Sequence, residues 1–177
     1  MGAGVVIARY YGARSGKEVS LAVHTLTAFG LAAGVILTIA GVLVTPQILK
    51  WMGTPESVFP KSVLYFRIYF AGSLGFVMYN VFVGILQSIG DSKHPLMYLI
   101  ISSVTNVALD LLFIAVMGMG VGAAAFATVI SQFASAILCL IRLMRAEEDY
   151  RIVLKEIQFD RNMMRQIISN GFPAGVQ

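Results

Sequence analysis

From His94 to Ile141 the chain runs for 48 residues with one Asp, Asp110, and no other Asp, Glu, Lys or Arg. As one helix this stretch would be ~72 Å long at ~1.5 Å per residue, more than twice the ~30 Å hydrocarbon core of a bilayer. It has to fold back on itself, and Gly118, Gly120 and Gly122 mark the place. Two more stretches are free of formal charge: Val19 to Leu49, where Pro46 is expected to end the helix, and the 23 residues from Ile68 to Gly90. The second of these stops at the turn signal Gly90-Asp91-Ser92-Lys93-His94-Pro95. The pattern predicts four full spans, at about 21–45, 67–90, 95–117 and 120–142. Between the first two, Thr54-Pro55-Glu56 reads as a helix start. Gly2 to Ala8 and Gln166 to Gln177 are too short to cross and read as helices cut short, so the chain is expected to cover part of a larger protein. The expected fold class is all-α, a polytopic transmembrane helix bundle with four full spans and two truncated flanking helices.

Composition agrees. Charged residues make up 12% of the 177, against ~25% in a soluble domain, and mean hydropathy is +0.80. An ordinary soluble enzyme, a disordered tail and a nucleic-acid binder are all excluded on that ground. The pI near 9.4 is not accompanied by a basic stripe with interleaved aromatics, so no nucleic acid is expected as a partner. The lone Cys139 rules out an internal disulfide and a multi-cysteine zinc site. With no HExxH, P-loop or nucleophile-elbow motif, neither catalysis nor a cofactor is expected. The cations fall unevenly. Arg9, Arg14, Lys17, Lys93, Arg142, Arg145, Arg151, Lys155, Arg161 and Arg165 lie on one side, and only Lys50, Lys61 and Arg67 on the other. The positive-inside rule makes the richer side cytoplasmic, in a multi-pass protein of the cell inner (plasma) membrane. From Arg142 to Arg165, six cations alternate with Glu147, Glu148, Asp149, Glu156 and Asp160, which reads as a solvated connector with a surface helix. Asp160 is placed to cap the helix that runs into Ile167 and Ile168.

Polar residues inside the spans are costly unless they face the bundle interior or a cavity. In the third span Ser102, Ser103, Asn106 and Asp110 recur at three- and four-residue steps and form one stripe. Thr128, Ser131, Gln132 and Ser135 do the same in the fourth, and Ser73, Asn80 and Gln87 are seven apart in the second. Convergence of these faces predicts a polar pocket near mid-membrane, with Ser103, Gln132 and Gln87 as cavity-lining candidates. Asp110 is the sharpest point. Desolvation favours the protonated form of a carboxyl group. Ionised, Asp110 would bind a hard cation such as sodium, with Asn106 one turn away as a second oxygen ligand. The plainer reading is a neutral Asp bonded between helices. Gly30, Gly34 and Gly41, with Thr27 and Thr38, read as a face for close helix approach. His24 is expected at the interface.

Several stretches carry a family resemblance. Val5-Val6-Ile7-Ala8-Arg9-Tyr10-Tyr11-Gly12-Ala13, Leu86-Gln87-Ser88-Ile89-Gly90-Asp91-Ser92-Lys93-His94-Pro95, Asn106-Val107-Ala108-Leu109-Asp110, Gly120-Val121-Gly122-Ala123-Ala124 with Ala127-Thr128, and Asn170-Gly171-Phe172-Pro173-Ala174 follow one another in a specific order and spacing. Together they resemble the multidrug and toxic-compound extrusion (MATE) family over nearly the whole chain. The resemblance implies twelve helices in two six-helix lobes, with the four full spans here as the third to sixth helices of the first lobe. Residues 1–142 would be that partial lobe, 143–165 a cytoplasmic inter-lobe connector and 166–177 the start of the next transmembrane helix. The first helix, with an acidic residue that one branch carries there, and the second lobe would lie outside this chain as its partners in one transporter.

The resemblance further implies export of cationic or amphiphilic small molecules in exchange for protons or sodium. Its ion-coupling residues match Asp110, Asn106, Thr128 and Asn80. Two alternatives stand beside this reading. A lipid-linked oligosaccharide flippase of related architecture would favour a cationic cavity, whereas these spans hold no Lys or Arg in their middles. A non-transporting truncated product is the other.

Overall fold

The computed structural model of the chain describes residues 2–176, and the side chains of residues 4–170. Its helices are α1 (Gly2–Gly12), α2 (Gly16–Trp51), α3 (Phe59–Ala71), α4 (Ser73–Ser88), α5 (Lys93–Asp110), α6 (Gly122–Met144) and α7 (Arg161–Val176). A π-helical stretch, Leu111–Val116, continues α5, and a 3-10 turn, Leu154–Glu156, interrupts the segment before α7. No strand occurs among the described residues. Gly16–Trp51, Phe59–Ser88, Lys93–Val116 and Gly122–Met144 are each long and apolar enough to cross a bilayer. The protein is an all-α, multi-pass membrane bundle, as its hydropathy predicts.

The lateral surface is apolar. Leu43 on α2 is 70% exposed and Val104 on α5 is 65% exposed, a disposition suited to lipid rather than water. Inside, α2 packs on α3 and α4, and α6 packs on α3, α4 and α5. The buried core gathers in the half of the bundle that carries most of the cations. Ile7 of α1, Val23 of α2, Ile85 and Leu86 of α4, Leu143 of α6, Ile152 and Met163 belong to one cluster there.

Glycine sets the α2–α4 spacing. A Cβ on Gly30 would lie 2.7 Å from Val81 Cγ2. One on Gly34 would lie 2.7 Å from Leu74 Cδ1 and 3.2 Å from Leu74 Cα, so the backbones themselves are close. Gly41 meets the ring of Phe70 of α3 in the same way. The close-approach face read from the sequence is thus in contact along its length.

Four local expectations need correction. Pro46 does not end α2, which continues to Trp51. A proline removes one hydrogen bond, and a long helix braced by its neighbours tolerates that loss. The Thr54-Pro55-Glu56 stretch forms turns closed by Val58 and Phe59 N–H donating to Pro55 O, and α3 starts only at Phe59 with a proline in its first turn. The second span is two helices meeting at Gly72, whose missing side chain makes room for Val129 of α6. The segment after α6 holds no long surface helix. It is extended chain with one 3-10 turn, drawn back onto the bundle so that Ile152 is 1% exposed.

Other expectations hold. The π-helical stretch ends at Val116, and the chain reverses just beyond it at Gly118, whose φ of 63° suits a residue without a side chain. Asp160 Oδ1 accepts the Met163 N–H at 2.7 Å and caps α7.

The turn into α5 is fixed by ions. His94 Nδ1–H donates to both Asp91 oxygens at 2.9 and 2.8 Å, the His94 backbone N–H donates at 3.2 Å, and Arg142 Nε of α6 stands 3.7 Å away. Burial alone would raise the Asp91 carboxyl, but the His94 hydrogen bonds and the charges of His94 and Arg142 prevail and hold it below the usual carboxylate value.

Two outcomes are expected from this packing. Gly34→Val should force α2 from α4 and cost about 1–3 kcal/mol, read as a lower melting temperature in detergent. A group whose value is depressed by folding contributes stability that is present above its unfolded value and fades as pH falls through the folded one. Acid melting curves of the native protein should therefore show a loss below the usual carboxylate range that Asp91→Asn removes.

Candidate functional site

The polar stripes of α5 and α6 face each other along one seam. Ser102 Oγ donates to Ser131 O at 2.6 Å, with both serines buried. One turn further along α5, Asn106 Nδ2 donates to Thr128 Oγ1 at 3.4 Å. Thr128 Oγ1 in turn donates to Ala124 O at 3.0 Å. Asp110 follows Asn106 by four residues, and its Oδ1 is buried with no hydrogen-bond partner. Thr38 Oγ1 on α2 is the only other side-chain atom in that condition among the described residues. The wide-wound stretch Leu111–Val116 begins at the next residue, and π-helical turns recur where a helix carries a functional group.

The chemistry of this seam is that of hard oxygens. Asp110 offers a carboxyl, Asn106 an amide oxygen and Thr128 a hydroxyl with a spare lone pair, a set suited to a proton or a small hard cation. Among the described residues, no three His, Cys, Asp or Glu side chains gather as a transition-metal site would require.

Among the described residues, the remaining candidates form no hydrogen bond across this seam. Asn80 on α4 is exposed and its Nδ2 donates to Phe76 O of its own helix at 2.7 Å. Gln87 and Ser103 are exposed on α4 and α5. Gln132 is half-buried on α6, where its carbonyl accepts Ser135 Oγ at 3.0 Å. Ser73 is buried at the start of α4.

Sequence reasoning missed one constellation, at the cation-rich end. His24 is 2% exposed, packed beneath the segment that follows α6. Its Nε2 accepts the Val153 N–H at 3.1 Å, so the proton of the neutral ring sits on Nδ1 and is donated to Ser20 O at 2.8 Å. Next to it, Thr25 Oγ1 accepts the Asp160 N–H at 3.3 Å. Two neighbouring residues of α2 therefore hold the segment between α6 and α7 at two points, Val153 and Asp160. At α7, Tyr10 Oη donates to Gln166 Oε1 at 2.6 Å. The available signal was the adjacent polar pair His24-Thr25 at the head of an otherwise apolar run.

With this geometry in place, comparison with known proteins is direct. The MatE family model matches residues 1–112. The chain belongs to the MatE family. Probable multidrug resistance protein YoeA of Bacillus subtilis (strain 168) is 31% identical over 182 residues, an alignment covering 99% of this chain and 39% of that protein. Probable multidrug resistance protein NorM of Thermotoga maritima is 29% identical over 184 residues, covering 100% of this chain and 39% of its own length. Among solved structures, an inward-facing conformation of a multidrug resistance MATE family transporter of the MOP superfamily aligns with a TM-score of 0.89 at 27% identity, covering 99% of this chain and 40% of that one. An outward-facing conformation of such a transporter aligns at 0.86 with 29% identity, covering 99% and 39%. The chain thus spans about two fifths of the relatives it matches. Those relatives are transporters, not enzymes.

Within the MatE fold, glue and site are separable along this seam. Ser102→Ala should cost about 0.6 kcal/mol of stability, the average for a hydrogen bond between membrane helices, and leave any ion dependence of transport by the full-length protein in place. Thermal melting and transport of the same preparation check both halves.

Proposed function

We propose that this chain forms most of the first lobe of a secondary antiporter, which exports cationic or amphiphilic compounds from the cell in exchange for protons or sodium across the inner membrane. The observation that carries the reading is the Asp110 carboxyl, with one oxygen buried and unbonded one helical turn along α5 from Asn106, which donates to Thr128. A buried polar atom left without a partner costs ~1–3 kcal/mol, and a proton or a cation relieves it. Occupancy by either changes the charge at the α5–α6 seam. The two states favour different packings there, and that difference shifts the inward- and outward-facing populations. The chain aligns about equally well with an inward-facing and an outward-facing transporter, which supports a lobe that moves as one body. In this reading residues 143–165 are the cytoplasmic connector between lobes and 166–177 open the next transmembrane helix. The first helix and the second lobe are its partners in one transporter.

The test is dye efflux from vesicles holding the full-length protein under imposed pH and sodium gradients. Efflux should follow one of the two gradients, and Asp110→Asn should lower it by about tenfold or more, a coupling loss of ~1.4 kcal/mol or greater, while membrane insertion is retained. Efflux unchanged in the variant would make Asp110 helix glue and return the choice to the flippase.

A further inference from the structure

The connector that His24 and Thr25 hold against α2 borders an open cavity of about 530 Å³ at the cytoplasmic end of the bundle, whose wall residue nearest in sequence to Asp110, Lys155, is 45 residues from it. Lys17, Ser20, Leu21 and His24 form the α2 wall, and Lys155, Glu156, Ile157 and Gln158 the connector wall. Two lysines face one carboxylate, so the lining is cationic. His24 adds no charge, because both its ring nitrogens are committed to neutral hydrogen bonds. The Ser20 hydroxyl lies 3.3 Å from His24 Nδ1, which already carries the proton, so Ser20 accepts there and keeps its own proton for another acceptor. Leu21 and Ile157 give the same cavity an apolar side.

Position narrows the occupant. The charge-free run of α2 begins at Val19, so Lys17 and Ser20 stand where the hydrocarbon gives way to headgroups. An inorganic anion would gain nothing from Leu21 and Ile157, whereas a lipid presents a phosphate and an acyl chain together. We infer that this cavity binds an anionic phospholipid of the cytoplasmic leaflet, with its phosphate between Lys17, Lys155 and Ser20 and its glycerol and upper acyl chain along Leu21 and Ile157. The lipid bridges α2 to the connector and stiffens the link to α7. The assignment rests on the orientation set by the cation count and is independent of any role for Asp110.

The test uses the full-length transporter, delipidated in detergent and titrated with phosphatidylglycerol while bound lipid is counted by native mass spectrometry. Lys17→Gln with Lys155→Gln should weaken the tightest lipid adduct by about tenfold or more, while Lys17→Arg with Lys155→Arg keeps it. Lys50→Gln with Lys61→Gln, on the opposite face, should change nothing. Phosphatidylcholine should fail to fill the tight site, and excess inorganic phosphate should fail to displace phosphatidylglycerol. Equal binding by the double Gln variant, provided that it elutes as folded protein, overturns the assignment. Displacement by inorganic phosphate overturns it in favour of a simple anion site.

Discussion

A peptide group in hydrocarbon has no water to bond, and that constraint organises the rest of this molecule. Each span is helical because a helix alone satisfies its own N–H and C=O groups. Once the backbone is satisfied, side chains do not drive the helices together by hydrophobic burial, since lipid is as apolar as leucine. Close approach has to come from shape and from the few polar atoms. Gly30, Gly34 and Gly41 supply the shape on α2 by removing side chains where Val81, Leu74 and Phe70 press in. Ser102 and Ser131 supply a directional bond across the α5–α6 seam.

The cation-rich end works differently from the span interiors because water and headgroups reach it. Charge is affordable there, and the structure spends it on tying consecutive elements together. Asp91, His94 and Arg142 join the turn before α5 to the end of α6. Tyr11 Oη donates to Glu148 at 2.8 Å and links α1 to the connector. His24 and Thr25 then fasten the connector along α2. Among the described residues the far end has no comparable network of hydrogen bonds, and α3 and the π-helical stretch carry no buried residue. The described chain is therefore tight at its cation-rich end and open at the other.

What the sequence made legible follows from the same physics. Charge-free length revealed the four spans, because a bilayer filters composition over some 20 residues at a time. Three- and four-residue spacing revealed the α5 and α6 stripes, because a helix repeats its faces whatever surrounds it, and the Asn106–Thr128 contact followed. Asn80 and Gln87 share that kind of spacing, yet both are exposed on α4 and Asn80 bonds its own backbone. Periodicity names a face but not what the face meets. Pro46 misled because the rule that proline ends a helix is drawn from helices in water, where a lost bond is not braced by neighbouring spans. The connector was illegible for another reason. Its path depends on hydrogen bonds from His24 and Thr25, more than 100 residues away in sequence, with no repeat or motif to announce them.

Two carboxylates in the same bundle show how differently such a group is kept. Asp91 sits near headgroup level and receives the His94 ring and backbone donors, with Arg142 close by. It is fully employed, and its depressed carboxyl value records that employment. Asp110 lies within a span, where an acidic side chain costs ~3 kcal/mol to insert, and still leaves one oxygen without a donor. A carboxyl retained for helix adhesion would be expected to resemble Asp91, or to be replaced by a hydroxyl such as that of Ser102, which joins the same two helices at less expense. Thr38 shows that an unbonded buried oxygen is not unique to Asp110, but a hydroxyl is neutral and cannot change its charge. Only a group that can gain and lose a proton or a cation turns an unsatisfied atom into two states of different energy. That asymmetry, more than burial alone, is what favours the coupling reading of Asp110 over the adhesive one.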